Sequence, residues 1–135
     1  MIRLLYISHV TREISEAQIQ DILQSSRRNN PALGITGVLV HGGGQFMQIL
    51  EGPEHAVLKL YVRILDDSRN ENCRIIHISP ANERMFEKWS MGVIDSDPLG
   101  FEHVMELRSR RLEAVRAKQF TAVMCEFLGR LNASP

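Results

Sequence analysis

The chain has 135 residues, with 16 basic and 16 acidic side chains, and 44% of it is apolar. This balance leaves no global field to gather nucleic acid or an acidic membrane surface, and no apolar run approaches the roughly 20 residues that span a bilayer. Met1-Ile2-Arg3-Leu4-Leu5-Tyr6 lacks the length and cleavage pattern of a signal peptide. The two cysteines, Cys73 and Cys125, offer neither a disulfide framework nor a paired metal-ligand motif. The expectation is therefore one cytoplasmic chain with no membrane segment and no nucleic-acid partner, long enough to bury roughly two-thirds of its unfolded surface.

Ile2–Ser8 is apolar on both faces apart from Arg3 and Ser8, the pattern of a central strand. It contains Tyr6, whose hydroxyl needs a partner if buried. A helix follows. Ser15 and Gln18 form a capping box, with Ile14 and Ile19 as the staple around it. Ala17, Ile19, Ile22 and Leu23 supply its inward stripe, and Pro31 predicts an end near Asn29-Asn30. Val38-Leu39-Val40 is a second strand, joined by His41-Gly42-Gly43-Gly44-Gln45 to a third, Phe46–Gly52. That glycine run is a hairpin connection and not a phosphate cradle, because strand residues follow it where a P-loop needs Gly-Lys-Ser/Thr and a helix.

Pro53 predicts the first position of a second helix, with Val57, Leu58, Tyr61, Ile64 and Leu65 on one face. Asp66–Asn70 is its polar exit. Arg74–Ser79 reads as a fourth strand and Pro80–Lys88 as an irregular connection. Trp89–Asp95 reads as a fifth strand carrying Trp89, Met91 and Val93 on one face. After Asp95-Ser96-Asp97-Pro98 the composition changes. Phe101, Val104, Met105, Leu112 and Val115 keep one helical register. Phe120, Val123, Met124, Phe127, Leu128 and Leu131 form a second stripe, while Arg108, Arg110 and Arg111 read as a solvated face.

The fold predicted is α+β, a ferredoxin-like βαββαβ unit with an added fifth strand, a mixed sheet and two helices on one face. Two carboxy-terminal helices follow, folded back on the other face. The boundary falls between residues 1–97 and 98–135.

Within this frame Gln48 is an amide on the same strand face as Phe46 and Leu50. Burying it without partners costs roughly 2–7 kcal/mol, so something must bond to it. Other chemistry is sparse. His9, His41, His55, His77 and His103 lack metal-ligand spacing, so no metal is expected. There is no Gly-x-Ser-x-Gly elbow and no Cys-His pairing, so no enzyme is indicated. Glu51 has the opposite strand parity to Gln48 and is expected near the start of the second helix, where its charge is favourable.

Four motifs in register go further. Tyr6, then Asn29-Asn30 with Gly34-Ile35-Thr36-Gly37, then Phe46-x-Gln48-x-Leu50-Glu51-Gly52, then Trp89-Ser90-Met91-Gly92 together resemble the BLUF family of blue-light sensors using flavin. The likeness covers about residues 1–95, and the carboxy-terminal helices resemble those of short, stand-alone members. It implies a flavin (FAD, with FMN or riboflavin as alternatives) held non-covalently between the two helices. Carried over by position, Ile22 and Ile64 sandwich the ring and Asn30 bonds its carbonyl edge. Gln48 lies between the ring and the Tyr6 hydroxyl, while Arg63, Asp67 and Arg69 face the ribityl and phosphate end.

Asp67-Ser68-Arg69-Asn70 stands where the family often has Asp-Pro-Arg-His, a departure at that phosphate end. Trp89 and Met91 fall on the strand through which the family's signal is thought to pass. The resemblance further implies an unidentified downstream signalling protein as partner, and we expect a homo-oligomer. Two other readings compete with it: a flavin-dependent redox enzyme, and a flavin-free ferredoxin-like regulatory module.

Overall fold

β1 (Ile2–Val10) is buried on both faces over most of its length, so it must lie inside a sheet with cover above and below. The computed structural model describes residues 1–10, 15–95, 126 and 128–132. After β1 come α1 (Glu16–Leu33), β2 (Thr36–Gly42), β3 (Gln45–Gly52), α2 (Glu54–Leu65), β4 (Asn70–Pro80) and β5 (Gly92–Asp95). The sheet order is β4-β1-β3-β2-β5. Four strands are antiparallel to their neighbours and β5 joins β2 in parallel, so the ferredoxin-like unit with an added strand is present.

Strand parity divides the core in two. Leu4, Tyr6, Leu39, Phe46 and Leu50 meet Ile19 and Leu23 of α1 and Val57 and Tyr61 of α2 on one face. Leu5, Ile7, Val38, Val40, Met47 and Ile49 form the other, covered by Phe86 and Leu131, with Leu128 packed beside them. The helical residues 128–132 thus lie on the face opposite the two packed helices. The rest of the carboxy-terminal pattern (Phe101 to Phe127), together with Ile14, the three arginines 108, 110 and 111 and Cys125, lies outside the described residues. Among the described residues no helix is long and apolar enough to cross a membrane.

Several boundaries differ from the sequence reading, each for a local reason. The Ser15–Gln18 capping box forms, but α1 runs through Pro31 to Leu33. Pro31 is exposed and lies in the last turn, where it removes only one ladder bond. The stop is instead Gly34 at φ +70°, with its N–H on the Pro31 carbonyl at 3.2 Å and the Ile35 N–H on the Asn30 carbonyl at 3.0 Å, a Schellman closure. Ala17, expected inside, is exposed.

In α2, Pro53 is the N-cap and not the first helical residue. The buried stripe is narrower than expected, since Leu58 and Leu65 are 38% and 49% exposed. β4 starts at Asn70, because as an edge strand it pairs with the whole of β1 through two register shifts and tolerates polar residues there. β5 is short. Trp89 closes a turn with its N–H on the Phe86 carbonyl at 2.9 Å and Met91 follows in a bend before β5, so the two do not share a strand face.

Glu51 ends β3 as a fully buried residue on the face opposite α1 and α2, not as a charge at the start of α2. At the head of β5, Gly92 lies against Leu131. A Cβ there would meet the leucine's terminal carbons at 2.7 and 2.8 Å, so only glycine fits this approach undisturbed.

Candidate functional site

Tyr6 and Gln48 are direct cross-strand partners in the β1–β3 ladder. Both are buried, at 4% and 5% exposure. The Tyr6 hydroxyl donates to Gln48 Oε1, and Gln48 Nε2 points to Met91 Sδ at 3.3 Å. This is the bond partner the buried amide required. Burial raises the Tyr6 phenol well above its ordinary pKa, with Cys73, Tyr61 and Asp67 adding in the same direction. Tyr6 is therefore a neutral O–H donor at physiological pH. The Tyr61 ring lies 5.3 Å from it, tilted by 57°.

The pair forms part of the floor of a cavity of about 220 Å³ between α1 and α2. Leu39 and Phe46 complete the floor, with Leu39 next to Gln48 on β2. Ile22 from α1 and Leu60 and Ile64 from α2 give apolar walls. Ser25, Ser26 and Asn29 continue the α1 wall as a polar rim, and Arg63, Asp67, Arg69 and Asn70 do so from α2 and the start of β4. Arg69 Nη2 pairs with Asp67 at 2.6 Å and its Nη1 with Asp21 at 3.3 Å. The Arg69 hydrogen bond holds the Asp67 carboxyl below the usual carboxylate range.

Of the residues singled out from sequence, Tyr6, Ile22, Gln48, Arg63, Ile64, Asp67 and Arg69 line this cavity. Asn30 is buried, but among the described residues it is Asn29 that lines the cavity. Asn30 Nδ2 donates to the Ser90 carbonyl at 2.9 Å and fastens the connection before β5. Met91 is buried in the cluster that holds Tyr6. Trp89 belongs to the opposite face, packed on the cluster that Leu128 also joins, and its Nε1 has no partner among the described residues.

The sequence reading missed Ser25, Ser26, Asn29, Leu39, Phe46, Leu60 and Asn70 as lining residues. Spacing held the signal, because residues 22, 25, 26 and 29 share one face of α1, as do 60, 63 and 64 of α2. It also missed Arg27, whose Nε donates to the Met91 carbonyl at 3.3 Å.

A match to the BLUF family, described as sensors of blue-light using FAD, spans residues 1–92. The chain belongs to the BLUF family. A photoactivated adenylate cyclase subunit beta of Euglena gracilis is 39% identical over 89 residues, 65% of this chain and 10% of that protein. This chain thus matches about a tenth of the length of the first such cyclase subunits. A bacterial light-regulated adenylyl cyclase superposes with TM-score 0.67 at 32% identity, over 96% of this chain and 34% of its own. The BLUF protein BlrB in its dark state superposes with TM-score 0.73 at 28% identity, over 93% and 96% of the two chains.

As a BLUF protein this chain is a blue-light sensor using FAD, and the lining suits that cofactor. An apolar slot with an amide in its floor and two arginines at its rim fits a flat heteroaromatic ring with an anionic tail. One of Gln48's two N–H groups is directed at a thioether, a weak acceptor, which leaves donor capacity on the cavity floor.

Proposed function

We propose that this BLUF protein is a photoswitch whose working part is the Tyr6–Gln48–Met91 set, and that it signals to a separate partner protein without catalysis of its own. The observation that carries this is the continuous line from the Tyr6 hydroxyl through the Gln48 amide, both on the cavity floor, to the Met91 sulfur beyond it. Ile22 and Ile64 would hold the flat ring, and Arg63, Asp67 and Arg69 the ribityl and phosphate end, since all five line the cavity. Asn29 and Asn30 lie at the end of α1 nearest the connection that precedes β5.

Excited flavin supplies a strong one-electron oxidant, the chemistry that no side chain provides. Tyr6 is the source of both electron and proton. Its phenol is neutral, and the proton leaving its hydroxyl oxygen arrives at Gln48 Oε1, which already accepts that bond. Gln48 has an acceptor at one end of its amide and two donors at the other. Turning or tautomerising the amide changes which end faces the cavity and what Met91 Sδ receives. Each such bond is worth about 1 kcal/mol net, so two arrangements lie close enough in energy for light to convert one into the other.

Met91 carries the change towards β5. Trp89 joins it as a relay on the far face, where the helical residues 128–132 also pack, and we divide the chain into a sensor of residues 1–97 and an extension of residues 98–135. The packing of Leu128 and Leu131 supports that division. We place the protein in the cytoplasm, which suits the free thiol of Cys73, and infer a homo-oligomer built through the extension. Dark–light difference spectroscopy tests the central reading: a small, reversible red shift is expected without added reductant. Bleaching, or no change in a protein that has flavin bound, sinks it.

A further inference from the structure

Glu51 lies on β3 three residues past Gln48, on the opposite face and fully buried. Its neighbours of the same parity, Met47 and Ile49, are apolar core, so packing alone does not call for a carboxylate there. Every lone-pair direction is used. Oε1 accepts from Thr36 Oγ1 at 2.9 Å and the Phe86 N–H at 2.6 Å, and Oε2 from the Met85 N–H at 3.0 Å and Arg3 Nε at 3.2 Å. These are charge-assisted bonds in a water-free place, where they are stronger than at the surface.

All of this grips one segment, the connection between β4 and β5. Arg3 also donates to the Glu83 carbonyl at 2.7 Å, and Arg84 ties back to the Gly34 carbonyl at 2.6 Å and Thr36 Oγ1 at 2.8 Å. Beyond Phe86 the chain is tacked down at Trp89 and Ser90. Trp89 N–H bonds the Phe86 carbonyl, the Gly37 N–H bonds the Trp89 carbonyl, and Asn30 bonds the Ser90 carbonyl. The segment then delivers Met91 to Gln48. One strand thus holds the same connection twice, by a carboxylate on one face and by the switching amide on the other.

We propose that Glu51 is a positioning residue for the photoswitch: by fixing residues 83–86 it sets where Met91 meets Gln48, and so how long the switched state lasts in the dark. This rests on the Tyr6–Gln48–Met91 reading above. The test is a double-mutant cycle on the full flavin-bound chain. Glu51→Gln keeps the side chain's size but turns an amide N–H towards backbone donors. The red shift should form to its normal extent, while the dark-recovery rate constant changes by about tenfold, the equivalent of one charge-assisted hydrogen bond.

In a Met91→Ala background the same substitution should change recovery by less than about twofold, because its route is already cut. A merely structural Glu51 lowers the melting temperature in both backgrounds without this pattern. Recovery within about twofold of the parent, or an equal change in both backgrounds, overturns the proposal. So does loss of the shift in a Glu51→Gln protein that still holds flavin. If Glu51→Gln fails to fold, Thr36→Val removes one donor and is read the same way, with about a threefold change expected and no change decisive against. A parent chain that binds flavin and shows no light-induced shift fails differently: it removes the Tyr6–Gln48 reading itself, and this proposal with it.

Discussion

Tyr6 and Gln48 face each other across the β1–β3 ladder, so neither can change its hydrogen bonding without changing the other's. Tyr6→Phe keeps the ring and leaves Gln48 Oε1 short of a donor, and Gln48→Leu leaves the Tyr6 hydroxyl short of an acceptor. Either loss costs about 1–3 kcal/mol. Both proteins should fold and purify yellow, show no red-shifted state, and fluoresce more than wild type, because the excited flavin loses its quencher or its proton route. A full shift in Tyr6→Phe would mean another donor does the chemistry.

At the rim, Asp67 has a lowered pKa, chiefly from the Arg69 hydrogen bond. The folded state therefore favours its carboxylate over the unfolded chain. That stabilisation is complete above the ordinary aspartate pKa of about 4 and disappears as pH falls through the lowered value. Asp67→Asn should therefore melt below wild type at neutral pH and converge with it in acid. A gap that persists in acid would mean Asp67 matters for shape, not charge. The Gln48 amide was legible from sequence because strand parity alone put it among apolar side chains. Glu51 was not, because its partners Met85 and Phe86 are distant in sequence and lie in a stretch with no periodicity.

Elements were legible where pattern and punctuation agreed. Two-sided burial identified β1, and Ser15 with Gln18 identified the start of α1. Proline misled at the other end of α1, since the Gly34 closure decides where that helix stops. β5 misled as well. Its apparent alternation through Trp89 and Met91 belongs to a turn that sends the two side chains into opposite clusters. What remains is a four-residue edge strand paired in parallel with β2, while β1 is paired on both sides. Short edge segments open at lower free energy than central strands. Amides of β5 should therefore exchange with deuterium earlier than those of β1, and earlier still under blue light. Mass spectrometry of the corresponding peptides reads both. Equal protection in dark and light would take β5 out of the signal route.

For the whole molecule, the ferredoxin-like plan was readable because the order of elements and the handedness of their connections leave few alternatives. The cavity's polar end was only partly readable, because it is assembled from α1, α2 and the start of β4. Leu128 and Leu131 supply cover for the far face, and residues 98–135 are our candidate for the contact between copies. A chain ending at Asp97 should therefore be poorly soluble or change its oligomeric state in light scattering; a soluble fragment of unchanged size would remove that claim. Trp89 gives the molecule one more property. It is the chain's single tryptophan, and it packs on the core cluster across the sheet from the cavity, the cluster that Leu128 and Leu131 also join. The protein thus carries an intrinsic emitter on the face opposite the cavity, whose colour and lifetime register events there without any label.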